Sequence, residues 1–514
     1  MSHTIPKLLI AVMAVSGQAM TQSGLSAAGS DSLMRNARLT SLPIAVDASR
    51  IYSVNPATMP YRDSISLSDI RLKGEYSDLQ KAVMEQLGTG YTGMSISAKS
   101  YRHLTPATTV WGEAAFTTGK TKDVRWSNCI DYLKVAPYVL GDEVGGDLSS
   151  RKYTFAGGYA GRFSRWTAGV SADYRAEIAY RDRDPRVKTV VSDLNVNLGA
   201  SYLVTRRYVL GVNGGINIYN QNCDLDFYNP MNDINTYTLT GLGTYYQRFM
   251  GNTNKNSGYQ SLGLNASIQF VSTDKDGFMG NAVFRHYKME QQLRNFNNLT
   301  LGFSDVNTIS AQLAYRFRFG SAVTFQPVAE GFIRSHKGTE NLFGTSAGAS
   351  YDKIGSRSIY RHNTATGKLS LPLQIRNGHT YYTVSPYIGY DFDRERYLEP
   401  VRELQASHLI TGMSASISAI SGKWMWNAGI DGNYAKASAK KTILTGLETD
   451  TPLGQCVISN FDMLKADRSS LLAKISAGRV ISGILFDITL SYCHTRYTGE
   501  GNGNFATLSI GARF

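Results

Sequence analysis

Long hydrophobic runs are missing from most of this sequence. Beyond residue 19 no stretch approaches the roughly 18 consecutive apolar residues that a membrane-spanning helix requires. Cysteine is scarce, with 4 in 514 residues, which is too few for a disulfide scaffold and leaves the three ways of pairing them open. The 8 histidines show neither a Ser/His/acid cluster nor a metal-ligand spacing. We therefore expect no metal, no cofactor and no enzyme activity.

The first residues predict an export signal. The segment MSHTIPKLLIAVMAVSGQAMTQS has one lysine, an apolar run from Leu8 to Val15, and small residues near Ala19. This pattern is typical of a secretory signal peptide that covers residues 1–19. No cysteine follows the apolar run, so a lipoprotein anchor is not expected.

The sequence lacks long apolar runs but has many segments in which apolar and polar residues strictly alternate. In NGNFATLSIGARF the apolar residues from Ala506 to Phe514 fall on one side of an extended strand, and polar residues or glycine fall on the other. The pattern recurs at residues 166–175, 194–202, 309–319, 408–419 and 484–492. Most runs are about 10 to 14 residues long, which crosses a hydrocarbon core at a tilt of about 45°. Soluble sandwich strands are shorter, about five or six residues.

Short and long connections alternate along the chain. Short turns are expected near 104, 164, 206, 273–277, 321, 376–379, 421–423 and 482, and the largest loops at 121–150, 222–256, 338–361 and 438–466. Outer-membrane barrels have short periplasmic turns and long surface loops. The fold class predicted is all-β, a transmembrane antiparallel β-barrel of about 18 strands, with a range of about 14 to 18. Pro327 and Pro386 lack a ladder donor and predict local bulges or bends.

The segment between the signal and the first strand is too long for a simple lead-in. Residues 20–63 form an N-terminal periplasmic or plug segment, and residues 64–514 form the outer-membrane barrel. The segment contains apolar side chains that a disordered tail is not expected to have, namely Leu33, Met34, Leu39, Leu42 and Ile44. We expect residues from about 33 to 60 to fold into the barrel and occlude it.

Three segments of the sequence resemble two known protein families. The segments YRAEIAYRDRDPRVKTVVSDLNVNLGASYLV (174–204) and APYVLGDEVGGDL (136–148) resemble an uncharacterised family of large outer-membrane barrels, found in bacteria rich in TonB-dependent transporters. The segment YSVNPATMP (52–60) is similar to the Asn-Pro-Ala turn of the long-chain fatty-acid transporter family, whose N-terminal segment plugs the lumen. That likeness implies that Asn55 and Pro56 form the turn from a plug into the first strand.

The same resemblance implies where the protein resides and what it contacts. The expected location is the bacterial outer membrane, as an integral protein surrounded by outer-membrane lipids. The final strand, ending in Phe514, resembles the signal by which barrel-insertion machinery recognises its clients. Surface lipoproteins or a TonB-dependent transporter are the further partners implied, and no basic-aromatic motif points to nucleic acid.

Two groups of residues are candidates for function. The first comprises charged residues on the polar strand face, which would line a lumen and set a field that selects solutes, or else pair across neighbouring strands: Asp173, Arg175, Glu177, Arg316, Arg318, Lys474 and Asp487. The second comprises loop aromatics, which would grip a sugar or a partner, or else pack on one another as a lid: Phe227, Tyr228, Tyr237, Tyr245, Tyr246 and Phe249.

The sequence favours a channel or a component for solute uptake or capture. A formal net charge of +13 favours anionic solutes or anionic headgroups. The alternative is a non-transporting barrel platform that anchors or assembles surface proteins, and an outer-membrane hydrolase is less favoured. Gly199→Arg or Asn197→Lys on the lumen face should be tolerated, whereas Leu198→Arg on the lipid face should not.

Overall fold

The computed structural model describes residues 27–63, 66–229, 231, 233–251, 255–347 and 350–514. The predicted signal peptide, residues 1–19, lies outside the described residues. Strands dominate, and their bounds are β1 Leu67–Leu79, β2 Gly90–Thr105, β3 Thr108–Val124, β4 Val139–Asp142, β5 Gly146–Phe163, β6 Trp166–Tyr180, β7 Arg186–Leu203, β8 Tyr208–Asp226, β9 Thr236–Gly241, β10 Thr244–Tyr245, β11 Lys255–Ser272, β12 Gly277–Leu293, β13 Leu299–Phe319, β14 Val323–Phe325, β15 Val328–Ala347, β16 Ser350–Ser370, β17 Leu373–Asn377, β18 Thr380–Leu398, β19 Val401–Ser421, β20 Trp424–Leu444, β21 Arg468–Ile481, β22 Ile484–Tyr497 and β23 Gly501–Arg513.

The helices are short and lie before the barrel or in its connections. The α-helices are α1 Ala27–Ser41, α2 Pro43–Tyr52, α3 Tyr132–Val135 and α4 Pro452–Lys465. Short 3₁₀ helices occupy Pro56–Tyr61, Glu85–Leu87, Gln247–Phe249 and Arg294–Phe296. None of the described helices has the length and apolar content needed to cross a membrane.

The main sheet closes on itself as an antiparallel barrel. Strand β1 pairs with β2 on one side and with β23 on the other, so no sheet edge remains at this seam. The sheet holds twenty strands, but β14 with β15 and β16 with β17 are the halves of two interrupted strands. Twenty less two gives the 18 strands that the alternation predicts, and that prediction is confirmed.

Proline accounts for both interruptions. The break between β14 and β15 falls at Gln326 and Pro327, where the sequence predicts a bend, and the neighbouring break falls at Leu371 and Pro372. Pro386 itself lies inside the unbroken strand β18, opposite Met413, so the bend predicted at Pro386 is wrong. The Pro386 carbonyl accepts from the Leu371 amide. Because both backbone polar groups of a strand residue point the same way, the missing Pro386 donor faces this gap and leaves the β18–β19 ladder intact.

Eight of the tight turns lie at one end of the barrel. These turns join β2 to β3, β5 to β6, β7 to β8, β11 to β12, β13 to β14, β17 to β18, β19 to β20 and β21 to β22. We call this the short-turn end and the opposite one the long-loop end. The short turns predicted from sequence are therefore present, but the opposite end also has short connections, of two residues between β18 and β19 and of three residues between β22 and β23.

One predicted long loop is wrong. Residues 338–347 and 350–361 continue the hairpin of β15 and β16 rather than forming a loop, with bulges between Gly338 and Glu340 and between Leu342 and Phe343. The extension is supported from the side, because Phe343 and Tyr351 pack against Phe249 of another connection. A tertiary contact of this kind leaves no trace in local alternation.

Candidate functional site: the plugged lumen

Residues 27–61 occupy the barrel interior at the short-turn end, and we call them the plug. Helix α2 buries one apolar face against the inner wall in a cluster of Ala48, Ile51, Tyr52, Val209, Val271, Met279, Ala314 and Val328. Helix α1 contributes Met34 and Ala37 to a second cluster with Met425, Val480 and Leu485. The apolar residues of the N-terminal segment thus find their partners on the wall. The prediction that residues from about 33 to 60 fold into the barrel is confirmed, and their occlusion of the lumen stays a prediction.

The Asn-Pro turn docks the plug onto strands β6 to β8. The Asn55 side chain accepts from the Ala57 amide at 2.8 Å and donates to the Val212 carbonyl at 2.9 Å. Pro56 begins the 3₁₀ turn, and β1 begins only at Leu67. Asn55 and Pro56 therefore form a turn, as predicted. This turn seats the plug on the wall, however, and does not lead directly into the first strand.

Glycines on the wall make this close approach possible. Gly169 and Gly199 are paired across β6 and β7, and Gly211 lies beside them on β8. An added Cβ would lie 2.6 Å from the Pro56 carbonyl carbon at Gly169, and 2.9 Å from Asn55 Nδ2 at Gly211. Asn55 Oδ1 occupies the corresponding space at Gly199. The expectation that Gly199→Arg is tolerated is therefore wrong, because the plug already fills that space.

Arg316 is a polar anchor for the plug rather than part of an open pore wall. Its Nε donates to Gln326 Oε1 at 2.7 Å and its Nη2 donates to the Ile44 carbonyl at 3.2 Å. The Gln326 amide donates to the same carbonyl at 3.2 Å. Arg38 of α1 donates in turn to the His379 carbonyl at 2.5 Å. Charge-assisted bonds of this kind are stronger than neutral ones, so they fix both helices.

A second segment enters the lumen from the long-loop end. Residues 125–145, which we call the inner loop, include α3 and β4, and β4 pairs with β9 in a small sheet that β10 extends. Arg175 of β6 donates to Asp131 of this loop at 3.0 Å and to Glu177 at 3.0 Å. Lys134 lies 3.3 Å from Asp193, and burial lowers the pKa of Lys134. Arg175 and Glu177 thus help to hold the inner loop.

The remaining predicted lumen charges lie at different heights. Asp173 accepts from Asn195 at 2.9 Å. Arg318 pairs with Asp276 at 2.7 Å next to a short turn. Asp487 contacts Arg71 at 3.0 Å and Arg513 at 3.4 Å, across the seam that closes the barrel. Lys474 is exposed on the inner face and makes no ion pair within the described part of the chain. The seven candidates face inward but do not form one ring, and most are paired.

The predicted loop aromatics divide into two packed groups and an exposed tip. Tyr237 lies 5.5 Å from Trp126 and 5.2 Å from Tyr245, measured between ring centroids. Tyr246 and Phe249 pack with Phe296, Leu301, Phe343 and Tyr351. Tyr228 is 77% exposed, with Arg186 over its ring, and Phe227 immediately follows β8. Four of the six aromatics therefore pack against other side chains, and their role as a lid or as a binding surface stays a prediction.

A cavity of about 600 Å³ lies between the plug and the wall. Arg50 and Val54 of the plug line it together with side chains of β12 to β20, among them Arg285, Glu330 and Lys368. Sequence reasoning missed all of these, although Arg285 and Lys368 occupy inward positions of alternating strands, which is the signal that could have identified them. The cavity is large enough to hold a small ligand.

Positive charge prevails in the cavity. Arg285 is exposed and has no ion pair or hydrogen bond within the described residues, and Lys368 lies 4.1 Å over the Tyr387 ring. Arg50 lies 3.8 Å from Asp47, a long ion pair. Of the two acidic lining residues, Asp391 is neutralised by Arg468 at 3.1 Å, which leaves Glu330. The arrangement can attract a small anionic group.

Two histidines face each other higher on the inner wall. His336 and His362 are directly opposed across β15 and β16, and His362 Nε2 lies 2.9 Å from Asp393. Within the described ranges, no group of three or more His, Cys, Asp or Glu side chains has the arrangement of a metal site.

The fold has counterparts among solved structures at low similarity. The ferric yersiniabactin uptake receptor FyuA from Yersinia pestis matches with a TM-score of 0.40 and 10% identity, covering 88% of this chain and 80% of that one. The FrpB iron transporter from Neisseria meningitidis matches at 0.39 and 9%, covering 90% and 83%. The ferric preacinetobactin receptor BauA from Acinetobacter baumannii matches at 0.37 and 8%, covering 87% and 80%. These likenesses concern the barrel fold alone.

No curated protein is significantly similar to this chain in sequence. A family profile does match, over residues 56–514, and its description is a family of unknown function, DUF6850. The chain belongs to that family, which confirms the resemblance to an uncharacterised family of large outer-membrane barrels.

Proposed function

We propose that this member of DUF6850 is an integral outer-membrane channel that captures a small anionic solute and admits it when the plug moves. The observation that carries the proposal is the cationic cavity of about 600 Å³ that lies between the plug and the wall. Cavities of roughly 300 to 1,000 Å³ suit small-molecule ligands. The short-turn end, which holds both the plug and the turns, is assigned to the periplasm because short turns are periplasmic in such barrels.

Charge supports an anionic solute. Arg285 and Lys368 form no salt bridge among the described residues, and the one unneutralised carboxylate of the cavity, Glu330, lies opposite Lys368 across β15 and β16 and leaves Arg285 unpaired. A bound carboxylate or phosphate would supply a partner, with Arg285 able to bind in a bidentate manner. Arg50 extends from the plug into the same cavity with its side chain 61% exposed. A solute at this site would therefore contact both the wall and the plug.

A solute that contacts both surfaces can change how firmly the plug is seated. A ligand shifts a conformational equilibrium only by its difference in affinity for the two states. Because Arg50 belongs to the moving part and Arg285 to the fixed part, their distance changes when the plug moves. The proposal assigns the chain a transport role and no catalytic one.

A second candidate is a non-transporting platform for surface proteins. The tip of the longest connection between barrel strands favours it, since Tyr228 is 77% and Met231 is 90% exposed. Exposed large apolar side chains at a rim suit contact with another protein. In this alternative the plug is permanent and the lumen carries no solute.

Removal of the plug distinguishes the two candidates. The mature protein and a deletion of residues 22–50 are inserted into planar bilayers, and insertion is verified by heat-modifiable migration of each preparation on gels. We expect the intact protein to be closed and the deletion to conduct ions, because α1 and most of α2 are removed. Unchanged conductance in a correctly inserted deletion would favour the platform.

Selectivity of the deletion tests the anionic solute. The double variant Arg285→Glu, Lys368→Glu is made in the deletion background, and its reversal potential is measured across a salt gradient. We expect the anion preference of the deletion to fall or invert, whereas the charge-conserving control Arg285→Lys should retain it. An identical reversal potential in all three would contradict a role for the cavity cations.

A further inference from the structure

Two of the four cysteines meet inside the barrel. Cys129 lies in the inner loop and Cys223 lies on β8, 94 residues further along the chain, and their Sγ atoms are 3.4 Å apart. Both side chains are buried, at 3% and 0% exposure. Because their sulfur atoms already touch, a small rotation of the side chains brings them to bonding distance.

The other two cysteines have different surroundings. Cys456, in α4, accepts from the side-chain amides of Gln86 at 3.5 Å and Asn460 at 3.7 Å. Cys493 lies on β22, with Thr495 at 3.9 Å as its polar neighbour. The structure therefore ranks the three pairings that the sequence leaves open, and only Cys129 with Cys223 has its sulfur atoms in contact among the described residues.

We propose that Cys129 and Cys223 form a disulfide bond that fastens the inner loop to the barrel wall. Disulfides form and persist in oxidising compartments, including the bacterial periplasm, which an exported chain must cross. This inference rests on export but not on solute transport.

The bond forms by thiol–disulfide exchange with a periplasmic disulfide oxidoreductase. The thiolate of one cysteine attacks the oxidoreductase disulfide, which gives a mixed disulfide and releases one oxidoreductase thiolate. The second cysteine thiolate then displaces the other oxidoreductase sulfur. The two cysteines lose two electrons and two protons, and the oxidoreductase gains them as a dithiol, so the exchange balances.

The location of the bond indicates that it holds the inner loop in place. Around it, the Gln221 side chain accepts from the amide of Ile130 at 3.1 Å, and Thr189 donates to the Asn128 carbonyl at 2.6 Å. These contacts are reversible, whereas a disulfide is not broken by a fluctuation of the loop. The inner loop then remains in the lumen as a fixed constriction, and the plug is the part that is left free to move.

The test counts thiols in the full-length protein isolated from membranes. Samples are denatured without reductant, labelled with a maleimide and weighed by mass spectrometry, and a parallel sample is reduced first. We expect two labels without reductant and four after reduction, because the proposed bond leaves only Cys456 and Cys493 as free thiols. Peptide mapping of the unreduced protein should recover one cross-linked species that joins the Cys129 and Cys223 peptides.

Two variants make the count specific. Cys129→Ser should show three labels without reductant, since Cys223 is released, whereas the control Cys456→Ser should show one. Four labels in the unreduced natural protein, or a cross-link to Cys456 or Cys493, would overturn the proposal. The natural protein alone decides this outcome, so it holds even where Cys129→Ser does not fold. Recovery of a disulfide-bonded protein from a soluble fraction would instead contradict the channel and leave the disulfide intact.

Discussion

At Gly169 the barrel wall meets the backbone of the plug with no room for a side chain. Alternation places this glycine on the inner face, but alternation cannot show what fills the interior. The sequence therefore correctly predicts that Gly199 lies on the inner face. Its prediction that Gly199→Arg is tolerated is wrong. Arg285 and Lys368 were missed for the same reason, because their value as candidates depends on which other charges lie near them in space.

Gly169→Ala should unseat the plug without damaging the barrel. The new methyl group would lie 2.6 Å from the Pro56 carbonyl carbon, so the turn must shift. Overpacking of this size costs about 1 to 3 kcal/mol. This free energy corresponds to a shift of about 5- to 150-fold in the plug equilibrium toward the open state. Single-channel recording should detect more frequent openings than in the natural protein.

Gly429→Ala is the matched control, since this inner-face glycine has ordinary contact distances, with Ser416 Cβ nearest at 3.5 Å. Equal opening frequencies in the two variants would contradict the seating of the plug on Gly169.

At the scale of single elements, the regular strands follow from the sequence and the inward-folded segments do not. The 18 strands arise because each repeats an apolar outer face and a polar inner face. Helices α3 and α4 and the small sheet of β4, β9 and β10 were not predicted, because they are stabilised by contacts with the wall and with one another. The hairpin extension that includes Phe343 was missed on the same grounds.

Adjacent residues of strand β7 should differ in how well they tolerate a charged side chain. Leu198 is 64% exposed on the outer face and lies four residues from Tyr202, which packs with Trp166 in the aromatic belt at the short-turn end. That spacing places Leu198 near the midplane, so Leu198→Arg should reduce the free energy of unfolding by about 2 to 4 kcal/mol. Urea titration in detergent or lipid vesicles measures it.

Asn197→Lys, on the inner face, serves as the comparison for that titration. Its side chain accepts one hydrogen bond from Asn265 at 3.2 Å, so the loss should stay near 1 kcal/mol. If both substitutions destabilise the barrel equally, the outer face of β7 does not contact lipid.

At the scale of the whole molecule, closure of the strand ladder predicts resistance to detergent. Every barrel strand pairs on both sides, so no edge offers detergent a place to begin unfolding. The protein should sediment with outer membranes and migrate faster on gels before boiling than after it. Full solubility in the periplasmic fraction, or identical migration of boiled and unboiled samples, would contradict an outer-membrane barrel.

The ladder between β1 and β23 also dictates an order of assembly. These strands are the first and last of the barrel, with Leu72 opposite Ile510, so the cylinder cannot close until the last strand is available to pair with the first. The plug precedes β1 in the chain, so the proposed export delivers it before any strand that surrounds it. We therefore expect the wall to close around the plug, rather than the plug to enter a finished barrel.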